Sequence, residues 1–142
     1  MDRLQALYAD PYISRIGHDD RAAAPITHPQ VVYLSAWVGE RFAGAFMAVC
    51  GRRDFELHAL LRRDALPWSR QLGRACLAWA FSKPIDRVTA WVIGSLREAM
   101  NYCRKLGFTL EGVRRNACKQ NGKPYDVFML GLLRAEWEGM NK

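Results

Sequence analysis

The chain passes from a strand-like run at 55–61 to an amphipathic helix at 70–82 through the stretch Arg70-Gln71-Leu72-Gly73-Arg74-Ala75. A turn of small residues at the start of a helix leaves backbone N–H groups pointing outward, and together with the helix dipole these groups attract an anion. Gly73 and Ala75 carry no bulky side chain, so a ligand can approach the backbone closely. The stretch therefore predicts a phosphate or pyrophosphate site, and with it a nucleotide-like cofactor.

The size and composition of the chain narrow its class. Its 142 residues suit a single domain over 1–142. Half of these residues are hydrophobic, which favours a packed core over disorder. The sequence has no apolar run long enough for a membrane helix and begins without the pattern of a signal peptide. We therefore expect a cytoplasmic protein with no membrane partner. The four cysteines form no Cys-x-x-Cys pair, which favours free thiols and no metal site.

Hydrophobic periodicity predicts the order of the elements. Alternation and turn residues indicate an antiparallel meander at 31–38, 42–49 and 55–61. After the helix at 70–82 we expect a covered strand at 88–93, a helix that ends at Gly107, and two strands, about 108–119 and 125–133, joined by a hairpin turn at Asn121-Gly122. A strand–helix–strand unit requires one parallel pair. The predicted fold class is thus mixed α/β, with a mostly antiparallel sheet flanked by helices.

Local signals predict where the other helices begin. A short helix is expected around 4–8, and Pro11 suits the first position of another, which would turn Ile13 and Ile16 towards the core. Ser95 and Glu98 have the spacing of a capping box at the start of the second long helix.

Three motifs, in order, resemble those of one family. The pattern Arg70-x-x-Gly73-x-Ala75 resembles the cofactor signature of the GNAT superfamily of acyl-CoA-dependent N-acyltransferases, and 99–108 resembles its second helix, which commonly ends Lys-Leu-Gly-Phe. The segments 111–115 and 121–126 are similar to the branch that acetylates the N-terminal alanine of ribosomal proteins. Small bacteriophage-encoded members carry a Glu-x-His strand like Glu56-Leu57-His58. The resemblance spans residues 53–137.

The resemblance implies a GNAT-like sheet whose one parallel strand pair forms the cofactor cleft. It implies acetyl-CoA as the acyl donor and a primary amine as the acceptor, either a protein N-terminus or a small molecule. A backbone N–H at about 60–62, near the end of the strand before the phosphate turn, would stabilise the oxyanion. The residues expected to bind the cofactor are Leu60, Leu61, Arg62, Arg70, Gln71, Leu72, Gly73, Arg74, Ala75 and Cys103.

The amine must lose a proton before it can attack the thioester. His58 is the candidate base, because its pKa is ordinarily near neutrality, and Glu56 shares its strand face as an orienting partner. The sequence departs from the family at Leu96, where Asn is frequent, and at Cys103, where a Tyr often protonates the departing thiolate. Cys103 is expected to be a core thiol rather than a catalytic one. Tyr102, about 100° around the helix, is expected on the solvent side.

Two other interpretations stay open. The first is a GNAT fold that binds CoA, or keeps only the fold, without turnover, which the departures at Leu96 and Cys103 favour. The second is a nucleic-acid-binding protein, because the formal net charge is +7. The basic residues are scattered and form no long run, which makes nucleic acid the less favoured partner. The oligomeric state is left open, a homodimer included.

Overall fold

The computed structural model describes residues 2–15 and 23–141, and the chain forms six strands and five α-helices within them. The helices are α1 (Asp2–Ala9), α2 (Pro11–Ser14), α3 (Ser69–Phe81), α4 (Arg97–Lys105) and α5 (Arg134–Met140). The strands are β1 (Val31–Val38), β2 (Arg41–Cys50), β3 (Asp54–Leu61), β4 (Arg87–Ile93), β5 (Thr109–Gln120) and β6 (Lys123–Leu133). A 3₁₀ helix (Arg63–Trp68) lies between β3 and α3.

All six strands belong to one sheet, in the order β1-β2-β3-β4-β6-β5. Each neighbouring pair is antiparallel except β3 and β4, which run parallel because α3 carries the chain from the end of one to the start of the other. The predicted mixed sheet with one parallel pair is therefore confirmed.

The parallel strands β3 and β4 separate along their length. Their paired residues are Asp54 with Arg87, Phe55 with Val88, and Glu56 with Thr89. Beyond these pairs β3 continues to Leu61, held by β2, and β4 continues to Ile93, held by β6. The sheet consequently opens as a V in its middle.

Helices cover both faces of the sheet, as two adjacent residues of β3 show. Leu60 packs in a cluster with Leu7 and Ile13 from α1 and α2, whereas Leu61 packs in a cluster with Cys76 from α3. Successive side chains of a strand point to opposite faces, so α1 and α2 lie on one side and α3 on the other. Between α3 and the sheet lies the largest core cluster, whose most buried members include Ala80, Val88, Leu130 and Leu132.

Several helix ends were predicted correctly. Gly107 follows α4 with a φ of 104°, a conformation that favours glycine. The helix ends with hydrogen bonds from the N–H of Gly107 to the carbonyl oxygen of Arg104 and from the N–H of Phe108 to that of Cys103. Pro11 opens α2, and Ile13 is 2% exposed. Ile16 lies outside the described residues.

The predicted capping box at the start of α4 is wrong. Leu96 occupies the N-cap, and no side-chain hydrogen bond caps it. The Ser95 hydroxyl instead donates to Oε1 of Gln120 at 2.6 Å. The Ser95 hydroxyl thus contacts the last residue of β5, next to the hairpin, and does not cap α4. Among the described residues, no helix is both long and apolar enough to cross a membrane.

Candidate active site

The separation of β3 and β4 opens a cleft in the middle of the sheet. Ala59 shows this directly, because it is exposed although it belongs to a central strand. A cavity of about 460 Å³ follows the opening between α2, β3, the start of α3 and α4. A second cavity, of about 150 Å³, lies among more buried residues. Ala59, Leu96, Ala99 and Tyr102 line both cavities, so the two adjoin.

The predicted pair on β3 is hydrogen-bonded at this cleft. Nε2 of His58 lies 3.1 Å from Oε2 of Glu56. The indole N–H of Trp91 on β4 donates to the other carboxylate oxygen, Oε1, at 2.9 Å. The side chains of His58 and Glu56 are 28% and 37% exposed, and His58 lines the smaller cavity. The pair is therefore half-buried and still reachable from the cleft.

The electrostatics of the pair determine which nitrogen of His58 can accept a proton. The pKa of the Glu56 carboxyl lies below its ordinary value, chiefly because His58 hydrogen-bonds to the carboxylate, and Trp91 adds to the effect while burial opposes it. An ionised carboxylate only accepts hydrogen bonds, so His58 donates its Nε2–H. Nδ1 then carries the lone pair that is suited to take a proton.

Backbone N–H groups of β3 point alternately towards β2 and into the cleft. The N–H of Arg62 donates to the carbonyl oxygen of Ala43 on the β2 side at 2.9 Å. By alternation the N–H of Leu60 faces β2 as well, whereas those of Ala59 and Leu61 face the space that β4 has left. Within the predicted donor range 60–62, this geometry favours Leu61, and it adds Ala59.

The start of α3 lies at the larger cavity. Ser69 and Arg70 line it together with Lys105 from the end of α4. The exposed Arg70 guanidinium approaches the carbonyl oxygen of Lys105 at 3.5 Å. The N-cap residue, Trp68, makes no side-chain capping bond, although the N–H of Ser69 donates to a carbonyl oxygen of the 3₁₀ helix. Two cations and the positive end of a helix dipole make this region attractive to phosphate.

The other residues of the predicted phosphate turn lie away from the cavities, apart from Gly73. Arg74 extends to α5, where its guanidinium donates to Oδ1 of Asn141 at 2.9 Å and lies 5.7 Å from the centre of the Trp137 ring. Of the remainder, Gln71 and Ala75 are exposed, and Leu72 is half-buried against the cluster around Leu61.

Gly73 is buried where α3 meets α4, and it lines the smaller cavity. A Cβ atom there would lie 2.3 Å from the hydroxyl oxygen of Tyr102 and 2.9 Å from Cδ1 of Leu106. Glycine is therefore needed for the approach of α4. The Tyr102 hydroxyl donates to the carbonyl oxygen of Ser69 at 2.7 Å, which joins α4 to the start of α3.

The prediction that Tyr102 lies on the solvent side is wrong. It is half-buried and forms part of the wall between the two cavities. Burial raises its pKa, so the hydroxyl keeps its proton at neutral pH. The spacing of Ala99, Tyr102 and Leu106 (i, i+3 and i+7) is the signal that could have indicated a face directed at α3.

Cys103 is buried and lines the smaller cavity. Burial raises the pKa of its thiol to about 11, so the group is neutral at physiological pH. This agrees with a core thiol rather than a catalytic one. Leu96, at the other position where the family pattern is broken, is also buried and lines both cavities.

One rim of the larger cavity is a polar network that the sequence did not indicate. Arg15, just after α2, forms an ion pair with Glu98 of α4, and both side chains line the cavity. Nε2 of Gln120 donates to the carbonyl oxygen of Arg15 at 2.8 Å. Because the partners are 83 and 105 residues apart in sequence, no local pattern could reveal them.

No protein-family model matches the sequence. Solved structures do match. Spermidine N-acetyltransferase from Vibrio cholerae, in complex with CoA and spermine, superposes with a TM-score of 0.65 at 17% identity over 71% of this chain and 63% of that one. An acetyltransferase of the GNAT family from Streptococcus pneumoniae superposes with a TM-score of 0.62 at 21% identity, over 73% of this chain and 67% of that one.

The matched part thus spans less than two thirds of the Vibrio cholerae enzyme. Both structures share the mixed sheet and flanking helices described above, and the chain has the GNAT fold. No group of three or more His, Cys, Asp or Glu side chains within residues 2–15 and 23–141 is arranged to hold a metal ion.

Proposed function

We propose that this chain, which has the GNAT fold, is an N-acyltransferase that moves an acyl group from acyl-CoA to a primary amine, with acetyl-CoA as the simplest donor. The observation that carries the proposal is the cleft between the separated strands β3 and β4. It has a half-buried His58–Glu56 pair on β3 and the cations Arg70 and Lys105 near the start of α3.

The larger cavity offers coenzyme A two cations for its phosphates and a free strand edge for its arm. Its phosphates would lie near Arg70, Lys105 and the start of α3, where positive charge is concentrated. Its extended arm would run along β3, where the N–H groups of Ala59 and Leu61 face the cleft. An extended chain can add to a strand edge through such groups.

The transfer requires one proton acceptor and one oxyanion donor. The amine nitrogen attacks the thioester carbon, and Nδ1 of His58 takes the proton that the nitrogen loses, while Glu56 holds the ring through Nε2. The negative oxygen of the tetrahedral intermediate would accept from the N–H of Ala59 or Leu61. The C–S bond then breaks, and CoA leaves as its thiolate.

Tyr102 is the candidate to protonate that thiolate, because it lines both cavities and keeps its proton at neutral pH. Its hydroxyl donates a hydrogen bond to the carbonyl oxygen of Ser69, however, and this bond would have to break before the hydroxyl could protonate the thiolate. Cys103 does not fill the role, because its thiol is buried.

The acceptor is a primary amine. The segments 111–115 and 121–126 support a protein N-terminus, because they resemble the branch that acetylates the N-terminal alanine of ribosomal proteins. The presence of CoA and spermine in the similar Vibrio cholerae structure supports a small polyamine instead. Both classes present a primary amine, mostly protonated in solution, which must lose a proton beside His58 before it can attack.

The test is calorimetric titration with acetyl-CoA, followed by an assay of thiol release with a peptide that has N-terminal alanine and with spermidine. The same peptide with a blocked N-terminus is the control. We expect binding and a release of thiol that requires the free amine. A protein that binds no CoA would contradict the proposal.

A CoA-binding protein without turnover is the second candidate. It is favoured by the burial of Cys103 and by the hydrogen bond from the Tyr102 hydroxyl to Ser69, because neither group is then free to protonate a departing thiolate. If the protein binds acetyl-CoA but releases no CoA thiol with any of the amines tested, that result would support this candidate over the enzyme.

A further inference from the structure

The smaller cavity contains more space than an acetyl group requires. It measures about 150 Å³ and lies between β3, β4, α3 and α4. We propose that this cavity holds the hydrocarbon tail of the acyl donor, so that the chain prefers acyl groups of about four to six carbons to acetyl. The inference rests on the proposed function, since it concerns the donor of the same reaction.

The cavity is suited to hydrocarbon because most of its lining side chains are apolar, with His58 and the Tyr102 hydroxyl as polar exceptions. Leu77 and Cys76 of α3 lie on one side, and Ala90 and Val92 of β4 lie on another. All four are buried. The thiols of Cys76 and Cys103 are neutral, because burial raises their pKa values to about 12 and about 11. The parts of the wall formed by these α3 and β4 residues and by Cys103 therefore carry no charge that would repel a hydrocarbon chain.

The volume limits the length of the tail. An apolar cavity of about 150 Å³ in an engineered protein stays dry and binds benzene, which has six carbons. The carbonyl carbon of the donor stays in the cleft near Ala59, so only the carbons beyond it enter. An acetyl group would leave most of the space empty, and a tail much longer than six carbons would exceed it.

The tail can reach the cavity from the position of the thioester. Ala59, Leu96 and Ala99 line both cavities, and Ala59 is exposed. A thioester bound to the N–H groups of Ala59 or Leu61 would therefore point its acyl carbons between the separated strands. The chemistry is unchanged, since the acyl carbon passes from sulfur to nitrogen and the amine proton passes to His58.

Burial of one methylene group favours binding by roughly fourfold. The experiment compares free CoA and acetyl-, butyryl-, hexanoyl- and octanoyl-CoA, by calorimetric affinity and by kcat/KM with one amine. We expect affinity to rise by about tenfold or more from acetyl to butyryl, to peak near hexanoyl, and to fall at octanoyl.

Ala90→Leu fills the cavity and tests its location. We expect this variant to lose the advantage of hexanoyl-CoA while it keeps the affinity for acetyl-CoA within about threefold. Ala78→Leu makes the same substitution at an exposed position of α3 and is the control. Cys76→Leu fills the cavity from the side of α3 and replaces Ala90→Leu if that variant does not fold.

Three outcomes would overturn the inference. If acetyl-CoA binds as tightly as hexanoyl-CoA to the unmodified chain, the cavity receives no tail, and the proposed function stands. If Ala90→Leu weakens the binding of free CoA as strongly as that of hexanoyl-CoA, the cavity holds the arm of the cofactor and not the acyl tail. If no CoA species binds at all, the proposed function fails as well.

Discussion

The indole N–H of Trp91 on β4 donates to Oε1 of Glu56 on β3 at 2.9 Å, across the point where the two strands begin to separate. The last paired residues are Glu56 and Thr89, and Trp91 stands two positions further along β4. The other oxygen of Glu56 meets Nε2 of His58. A single carboxylate therefore links the diverging strand to the candidate base.

Trp91→Phe keeps an aromatic ring and removes the donor. We expect the pKa of Glu56 to rise towards its ordinary value, because one of the donors that lower it is lost. Activity should fall by about three- to tenfold, the scale of one hydrogen bond, with little change in the affinity for acyl-CoA. Carboxyl NMR titration of Glu56 and steady-state kinetics check these outcomes.

Trp79→Phe is the control for that variant, because Trp79 packs against Phe55 at a ring-centre distance of 5.6 Å and lies outside the two cavities. An unchanged Glu56 titration in Trp91→Phe would show that the indole does not hold the carboxylate.

His58→Ala should lower kcat by about 10²-fold or more, the usual scale for the loss of a general base. Glu56→Gln should cost less, because Glu56 orients the ring and does not itself take the proton. The affinity for acetyl-CoA should change little in either variant, since Arg70 and Lys105 line the larger cavity and neither His58 nor Glu56 does. Wild-type turnover in both variants would mean that the proton leaves by another route.

Arg70 and Arg74 are one turn apart on α3 and differ in their surroundings. Arg70→Ala should weaken CoA binding by about three- to tenfold, because an exposed cation near the phosphates is lost, and the effect should shrink as salt rises. Arg74→Ala should leave the affinity unchanged and lower the melting temperature, because Arg74 holds Asn141 near α5. Calorimetry and thermal unfolding distinguish the two, and equal losses of affinity would contradict this assignment.

Gly73→Ala should destabilise the fold, because the new Cβ would lie 2.3 Å from the Tyr102 hydroxyl oxygen. Overpacking typically costs about 1–3 kcal/mol, of which the better helix propensity of alanine offsets up to about 1 kcal/mol. Adding Tyr102→Phe removes the hydroxyl and should recover part of the loss. The free energies of unfolding of the two single variants and the double variant give the coupling directly. Additive effects would mean that the close approach is relieved by another movement.

The elements that were predicted correctly are those with local signals. The Asn121-Gly122 turn has positive φ at both residues, 52° and 73°, and Gly107 ends α4 as expected. These features depend on neighbouring residues alone. The 3₁₀ helix at Arg63–Trp68 was missed, because six residues with a proline inside give no clear periodicity.

The site was predictable only where its residues share one strand or one turn. Glu56 and His58 are two apart, so the period of a strand brings them together. The bond from Trp91 spans 35 residues, and the ion pair between Arg15 and Glu98 spans 83. Such partners follow from the packing of distant elements. The Ser95 prediction failed for the same reason, since Gln120 accepts its hydroxyl.

The central claim is that the separated strands form the binding cleft for the thioester, and backbone amide exchange tests it most directly. Residue-resolved hydrogen exchange is measured by NMR with and without saturating acetyl-CoA. We predict that the amides of Ala59 and Leu61, which face the cleft, exchange at least about tenfold more slowly in the complex. Those of Leu60 and Arg62, which already face β2, should change little. Saturated binding that leaves Ala59 and Leu61 unprotected would contradict the account.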